Sequence, residues 1–341
     1  MTQVLGTRIE AYLMARSKAA SFLLGHLNPD GSIGPVEEGI FYGRVPWALA
    51  LCGETGPAQR LIDWIGRRML TAEGEVAGEV SPNAGADRAA NTYAETCLTF
   101  GAQLLRRYDV ARKAMDFALR FQDPATGGVY LDRQQTGPDG PQVLYLTCQL
   151  GMSALMTGHH AAALAAGRFV QQLWQAQPEL PQRLYTIVTR SGGLATTVPE
   201  GADRRHYVNE SQDVRQYHYN GGMAAAFLVQ LHLATADAAW LDLARDYQRF
   251  SMESTERQFD VKQVCKSAWG SALLYTDTRE PIYRDWTLRL GDWFVAEQFP
   301  DGHWVNSAYL DPAPSLSRII AITAEFLVHL DTIVGSGVAW T

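Results

Sequence analysis

The chain has 341 residues, 47% of them hydrophobic, with 29 basic and 36 acidic side chains and a formal net charge of -7. That balance argues against the basic face a nucleic-acid partner would require, and the length leaves room for a sizeable apolar core. Arg8, Glu10, Arg16 and Lys18 interrupt the apolar residues of the N-terminus, so no signal-peptide core is expected there. With no uncharged run of about 18 residues to cross a bilayer, a soluble, cytoplasmic protein without a membrane partner is expected.

A unit of roughly 50 residues recurs about six times, each copy reading as two helices joined by a glycine-containing turn. In chain order the first helices are expected near 6–26, 55–70, 109–122, 159–175, 236–256 and 281–297, and their mates near 41–52, 89–107, 142–157, 216–235, 263–276 and 316–333. The two sets differ in polarity. Leu61–Arg68 is amphipathic and should face water, whereas 221–233 and 267–275 are small and apolar nearly all round and should be buried. Exposed and buried helices alternating through six pairs imply an all-α (α/α)6 toroid with an inner and an outer ring, built as a single domain over 1–341. One departure interrupts it. An insertion of about 40 residues, 176–215, exceeds any turn in length and contains the strand-like run Leu184-Tyr185-Thr186-Ile187-Val188-Thr189. We read it as a β flap over the mouth of the ring. Cys52, Cys97, Cys148 and Cys265 are widely spaced and fall in expected helices, as reduced thiols would.

The joining turns carry a motif. Gln298-Phe299-Pro300-Asp301-Gly302-His303-Trp304 resembles the QxxDGxW turn of the terpenoid cyclase and protein prenyltransferase α/α-toroid superfamily; Gln122 with Gly127, Gly128 and Tyr130 is a stretched version, and His26 to Ile33 keeps the Asp30-Gly31 pair. The resemblance implies the fold over nearly the whole chain and does not extend to the chemistry. The DxDD of the protonating cyclases, the DDxxD of magnesium diphosphate binding and the zinc spacings of prenyltransferases have no counterpart here. The segments 221–235, 266–275 and 324–331 are similar to the fungal hetero-Diels–Alderases of tropolone-sesquiterpenoid pathways. No cluster of Cys, His, Asp or Glu has metal-ligand spacing, so neither a metal nor another cofactor is expected.

If the inner helices begin at one rim, polar residues at their starts converge on one cavity. The first would offer Phe41, Tyr42, Arg44 and Trp47; the second Asn91, Tyr93 and Glu95; the third Tyr145 and Thr147; the fourth Tyr217, His218, Tyr219 and Asn220; the fifth Lys266 and Trp269; the sixth Ser315, Arg318 and Glu325. Glu95 in an apolar helix is either a catalytic acid or base or a carboxylate with a structural partner. His218 is either a proton-transfer group or a residue hydrogen-bonded at a helix start. Lys266 either donates to a substrate carbonyl or sits in an ion pair. Trp47, Trp269, Tyr93 and Tyr217 read as wall residues. In the flap, Tyr185 belongs to the strand-like run, while Arg204 to Arg215 is either a solvated loop or a closing element acting through His206, Tyr207 or Asp213.

Aromatics interrupted by a few charges suit a small apolar or partly oxygenated substrate. The first functional reading is a metal-free cyclase or isomerase of natural-product biosynthesis, pericyclase-like, whose cavity folds the substrate while a few donors polarise it. The second is a carbohydrate-active (α/α)6 hydrolase, lyase or epimerase, with Glu95 and Asp213 or Asp87 as its carboxylate pair. A non-catalytic binding protein is the third.

Overall fold

The structure is a computed structural model that describes residues 2–35, 43–76, 91–261, 264–305 and 313–337, with backbone alone at 2–4 and 261. Among the described residues are twelve α-helices: α1 (Thr2–Gly25), α2 (Val45–Leu51), α3 (Thr55–Arg68), α4 (Tyr93–Leu104), α5 (Tyr108–Leu119), α6 (Leu144–Met156), α7 (His160–Gln175), α8 (Tyr219–Thr235), α9 (Ala238–Glu253), α10 (Ser267–Thr278), α11 (Pro281–Ala296) and α12 (Leu316–Gly337). The odd-numbered helices are the expected first members of the pairs and the even-numbered ones their mates. Backbone contacts divide the chain into two compact units, one of Met1–Arg88, Ala94–Phe117 and Thr278–Thr341, the other of Ala89–Tyr93 and Ala118–Asp277.

Helix polarity sorts as the periodicity implies. In α7 the buried residues Ala163, Ala166, Gly167, Val170 and Leu173 form one stripe with Phe169, whereas α8 is buried from Tyr219 through Val229 without a break. A helix apolar on every side can satisfy itself only by packing on neighbours all round. In the first unit α12 packs on α1, α2 and α11; in the second, α8 packs on α6, α7 and α9. Helix α12 is long and apolar enough to cross a membrane, with 67% of its apolar window buried in the structure. All four cysteines are free thiols, with Cys97, Cys148 and Cys265 buried.

The turns between helices share one device. Gly31, Gly74, Gly127 and Gly302 all take positive φ, between 81° and 100°, and each abuts the main-chain carbonyl of an odd-numbered helix: Arg60 and Lys113 in α3 and α5, Ala165 in α7 and Lys18 in α1. The turn around Gly74, closed by a bridge between Leu70 and Val76, falls outside the expected motif, having neither the leading glutamine nor the Asp-Gly pair. Where the turn begins with glutamine, the side chain clips it down. Gln298 Nε2 donates to Gly302 O and Ala15 O, and Gln122 Nε2 to Gly127 O and Ala162 O.

The insertion is ordered by two small antiparallel sheets in the second unit. Strand β2 (Arg183–Tyr185) pairs with β5 (Val208–Glu210); β3 (Ile187–Thr189) pairs with both β4 (Gly193–Leu194) and β1 (Gln142–Val143), the residues immediately before α6. Leu184, Ile187, Val208 and Asn209 are buried; within 204–215, Arg204, Gln212, Asp213 and Arg215 are exposed, so the solvated-loop reading holds for part of that stretch. Arg190 anchors the β3–β4 turn on the buried carboxylate of Asp123 at 3.6 Å.

Candidate functional site

In the second unit the starts of three helices and one turn of the insertion bring aromatic rings together. Tyr145, at the second position of α6, lies 6.1 Å from Tyr93, 6.2 Å from Tyr219 in an edge-on arrangement, and 6.2 Å from His206. His206 lies 5.0 Å from Tyr217, which lies 5.2 Å from Tyr219. Two cations cap this chain of rings. The Lys266 ammonium sits 4.3 Å above Tyr219, and the Arg205 guanidinium 5.4 Å above Tyr217. A cation over an aromatic face is attracted by the ring quadrupole, more strongly where water is excluded; Lys266 is only 7% exposed and Tyr219 8%.

Local sequence explains the placement. A Cβ on Gly222 would stand 2.6 Å from the Lys266 carbonyl oxygen, so only glycine there lets the first turn of α8 lie against the residues that open α10. That close approach puts Tyr219 under Lys266. The turn bearing Arg205 and His206 is held by Asp203, which accepts from the Arg205 N–H at 3.0 Å and from its guanidinium Nε at 2.8 Å. Thr186 ties the same turn to the sheet: its hydroxyl donates to His206 O and its N–H to Tyr207 O. Beneath, the buried side chains of Asn209 and Asn220 meet at 2.7 Å, joining β5 to α8.

Two of the remaining flap candidates are engaged by other partners. Tyr185 donates its hydroxyl to Glu179, which also pairs with Arg183. Tyr207 is half-buried. Asp213 is exposed and accepts from Gln216 Nε2 at 2.8 Å and from the Arg215 N–H, so its carboxylate shapes the loop before α8. Trp269 lies buried in the first turn of α10. Of the residues in this site, sequence reasoning overlooked Arg205; its signal was the Arg204-Arg205-His206-Tyr207 run, in which a cation sits next to two rings.

His218 is 2% exposed, and its Nε2 bonds the Asp213 carbonyl oxygen at 2.9 Å. Burial pushes its pKa down to about 4, against a weaker upward pull from that carbonyl. The imidazole is therefore neutral at neutral pH and cannot serve there as a proton donor of ordinary strength. Stability carries a signature of this. With a folded pKa of about 4 and an ordinary value of 6.5, the unfolded chain binds the proton more readily between those values. Stability is expected to fall by about 3 kcal/mol as pH drops through that window. Urea titrations at pH 7, 5.5 and 4 should show the loss, and His218→Gln should remove most of it; an unchanged slope would place the titrating group elsewhere.

The first unit holds the other candidates. Glu95, 3% exposed in the first turn of α4, accepts the Val76 N–H through Oε1 at 2.9 Å. Arg44, just before α2, pairs with Glu325 at 2.5 Å, and His329 lies one turn beyond, 3.9 Å from the same carboxylate. Glu325 is the tenth residue of α12, mid-helix rather than at its start, because the apolar face of α12 extends well past its first turn. Trp47 stacks on Phe100 at 4.4 Å, packing α2 on α4. Arg318 is half-buried in the first turn of α12. Phe41, Tyr42 and Asp87 lie outside the described residues.

Helical hairpins of alternating polarity, with small sheets inserted, define the class: an all-α protein with the (α/α)6 toroid fold, shared by solved structures of several enzymes. No protein-family model matches the chain, and no curated protein matches its sequence. A D-mannose isomerase superposes with a TM-score of 0.68 at 11% identity, over 100% of this chain and 98% of that one. A type II terpene cyclase from Scytonema, solved with its substrate geranylgeranyl dihydroxybenzoate, gives 0.62 at 12% identity over 97% and 99%. A family 76 glycoside hydrolase from a bovine Bacteroides thetaiotaomicron strain gives 0.62 at 14% identity over 97% and 78%. At these identities the likeness establishes the fold, and chemistry has to be argued from the site.

Proposed function

We propose that the chain is a cyclase or isomerase acting on a small apolar or partly oxygenated molecule held against the tyrosine cluster of the second unit. The observation that carries this reading is the Lys266 ammonium held 4.3 Å above the buried ring of Tyr219. A preorganised cation in a site walled by rings stabilises negative charge developing on a substrate oxygen, while the ring faces fold and hold an apolar body. Protein side chains supply the chemistry in this proposal. A pericyclic closure, in which the wall imposes the conformer and Lys266 polarises a carbonyl, is its narrower form.

A glycoside hydrolase would need two carboxylates facing the bond to be cleaved. Of the carboxylates of the insertion, Glu179 and Glu210 are engaged by Arg183, Asp203 by Arg205 and Asp213 by Gln216, while Glu200 is exposed. The test is a panel in which the purified protein meets geranylgeranyl dihydroxybenzoate, D-mannose and α-1,6-mannotriose, the molecules named with its structural neighbours, with products read by mass-resolved chromatography. Conversion of the prenylated phenol to an isomeric product supports the proposal. Isomerised mannose would keep the isomerase and overturn the apolar substrate class, cleaved mannotriose overturns the proposal, and binding without conversion would make the chain a binding protein.

A further inference from the structure

Two positive charges act on one pair of rings in the second unit. Tyr217 and Tyr219 lie 5.2 Å apart; the Arg205 guanidinium stands 5.4 Å over the first and the Lys266 ammonium 4.3 Å over the second. Both cations are largely withdrawn from water, Lys266 at 7% exposure and the Arg205 side chain at 21%. They reach the rings from separate elements. Lys266 immediately precedes α10, and Arg205 belongs to the insertion turn that Asp203 and Thr186 hold. Asp203 also accepts from Nε and Nη2 of the guanidinium, which fixes how that group lies over the ring of Tyr217. Charges held out of water are weakly screened. A cationic group brought to these two rings would be repelled by both side chains, and an anionic one attracted by both.

We infer that the molecule taken by this site has an anionic head, a carboxylate on an apolar body, and that Arg205 and Lys266 set this specificity. This rests on the reading of the tyrosine cluster as a substrate site and adds to it the substrate's charge. A guanidinium suits a carboxylate because its planar N–H groups match the two oxygens, whereas an ammonium on a long stem serves as a point charge. The rings of Tyr217 and Tyr219 then meet the apolar carbons behind the head. No bond forms or breaks in this recognition; it orients the substrate before the reaction.

The test is equilibrium binding, by calorimetry at pH 7 and low salt, of three probes that share one apolar body: phenylbutyrate, its neutral amide and the matching amine. The wild type should bind the carboxylate about 10-fold or more tighter than the amide, with the ammonium form weakest, and added salt should narrow the gap. Lys266→Met and Arg205→Gln should each remove most of that advantage while the amide's affinity, which reports an intact site, stays within about twofold. Arg205→Lys, which keeps the charge, should retain much of it. Equal affinity for carboxylate and amide, an advantage that survives in both neutral variants, or no binding of any probe overturns the inference. Turnover is judged apart, by the substrate panel. A charge preference without conversion of any panel member defeats the enzymatic reading and leaves the inference standing; conversion by a protein with no charge preference defeats the inference alone.

Discussion

Lys266→Met is expected to lower single-turnover rates on the substrate the panel identifies by about 10²- to 10³-fold, the usual cost of removing one preorganised electrostatic donor. Methionine keeps the length and apolar character of the stem, which is almost wholly buried, so the melting temperature should change little. Tyr219→Leu removes the ring beneath the ammonium, and because a desolvated cation–π contact is worth about 2 kcal/mol, a rate loss of about 30-fold is expected. The two effects should not add, since each disturbs the same charge. A double variant as slow as Lys266→Met alone would agree; normal turnover in Lys266→Met would remove this lysine from the chemistry and with it the observation on which the proposed function stands.

The largest stability losses are expected at the turn glycines. Alanine at Gly74, Gly127 or Gly302 would drive its Cβ into the carbonyl of Lys113, Ala165 or Lys18, where main chain of a packed helix cannot step aside. Overpacking costs about 1–3 kcal/mol and the left-handed conformation about 1–2 kcal/mol for any residue with a Cβ. Each of these variants should therefore lose about 2–5 kcal/mol in urea unfolding. Gly158 is the control: it also has positive φ, at 79°, but nothing lies within 4 Å of where its Cβ would be, so Gly158→Ala should lose only about 1–2 kcal/mol. Equal losses at all four would mean that backbone conformation alone, without the close approach to the neighbouring helix, is what these turns require. Gly74→Ala has a further consequence, because the turn it distorts delivers the N–H of Val76 to Glu95.

Much of the architecture was legible in the chain itself. Hairpin count, helix order and the split between striped and wholly apolar helices all follow from spacing within about 20 residues, and an amphipathic or apolar surface has one low-energy way to be covered. The boundaries of α3, α7 and α11 lie within a few residues of expectation for that reason. Even the insertion announced itself through Leu184 to Thr189, where one ring and four successive β-branched residues suit a strand.

What the chain could not disclose is which polar groups meet. Tyr93 and Tyr145 come together across 52 positions of sequence, and Arg44 and Glu325 across 281; no local pattern encodes such pairs. The neutrality of His218 depends on how deeply its surroundings bury it, and Arg205 joins the site only because Asp203 and Thr186 fix the turn that carries it. Glu95 reads as an ordinary charge in an apolar helix until the fold sets its Oε1 on the N–H of Val76. Periodicity is a property of neighbours along the chain and determined the helices; desolvation, charge and hydrogen-bond partnership belong to neighbours in space, and the tertiary structure decided those.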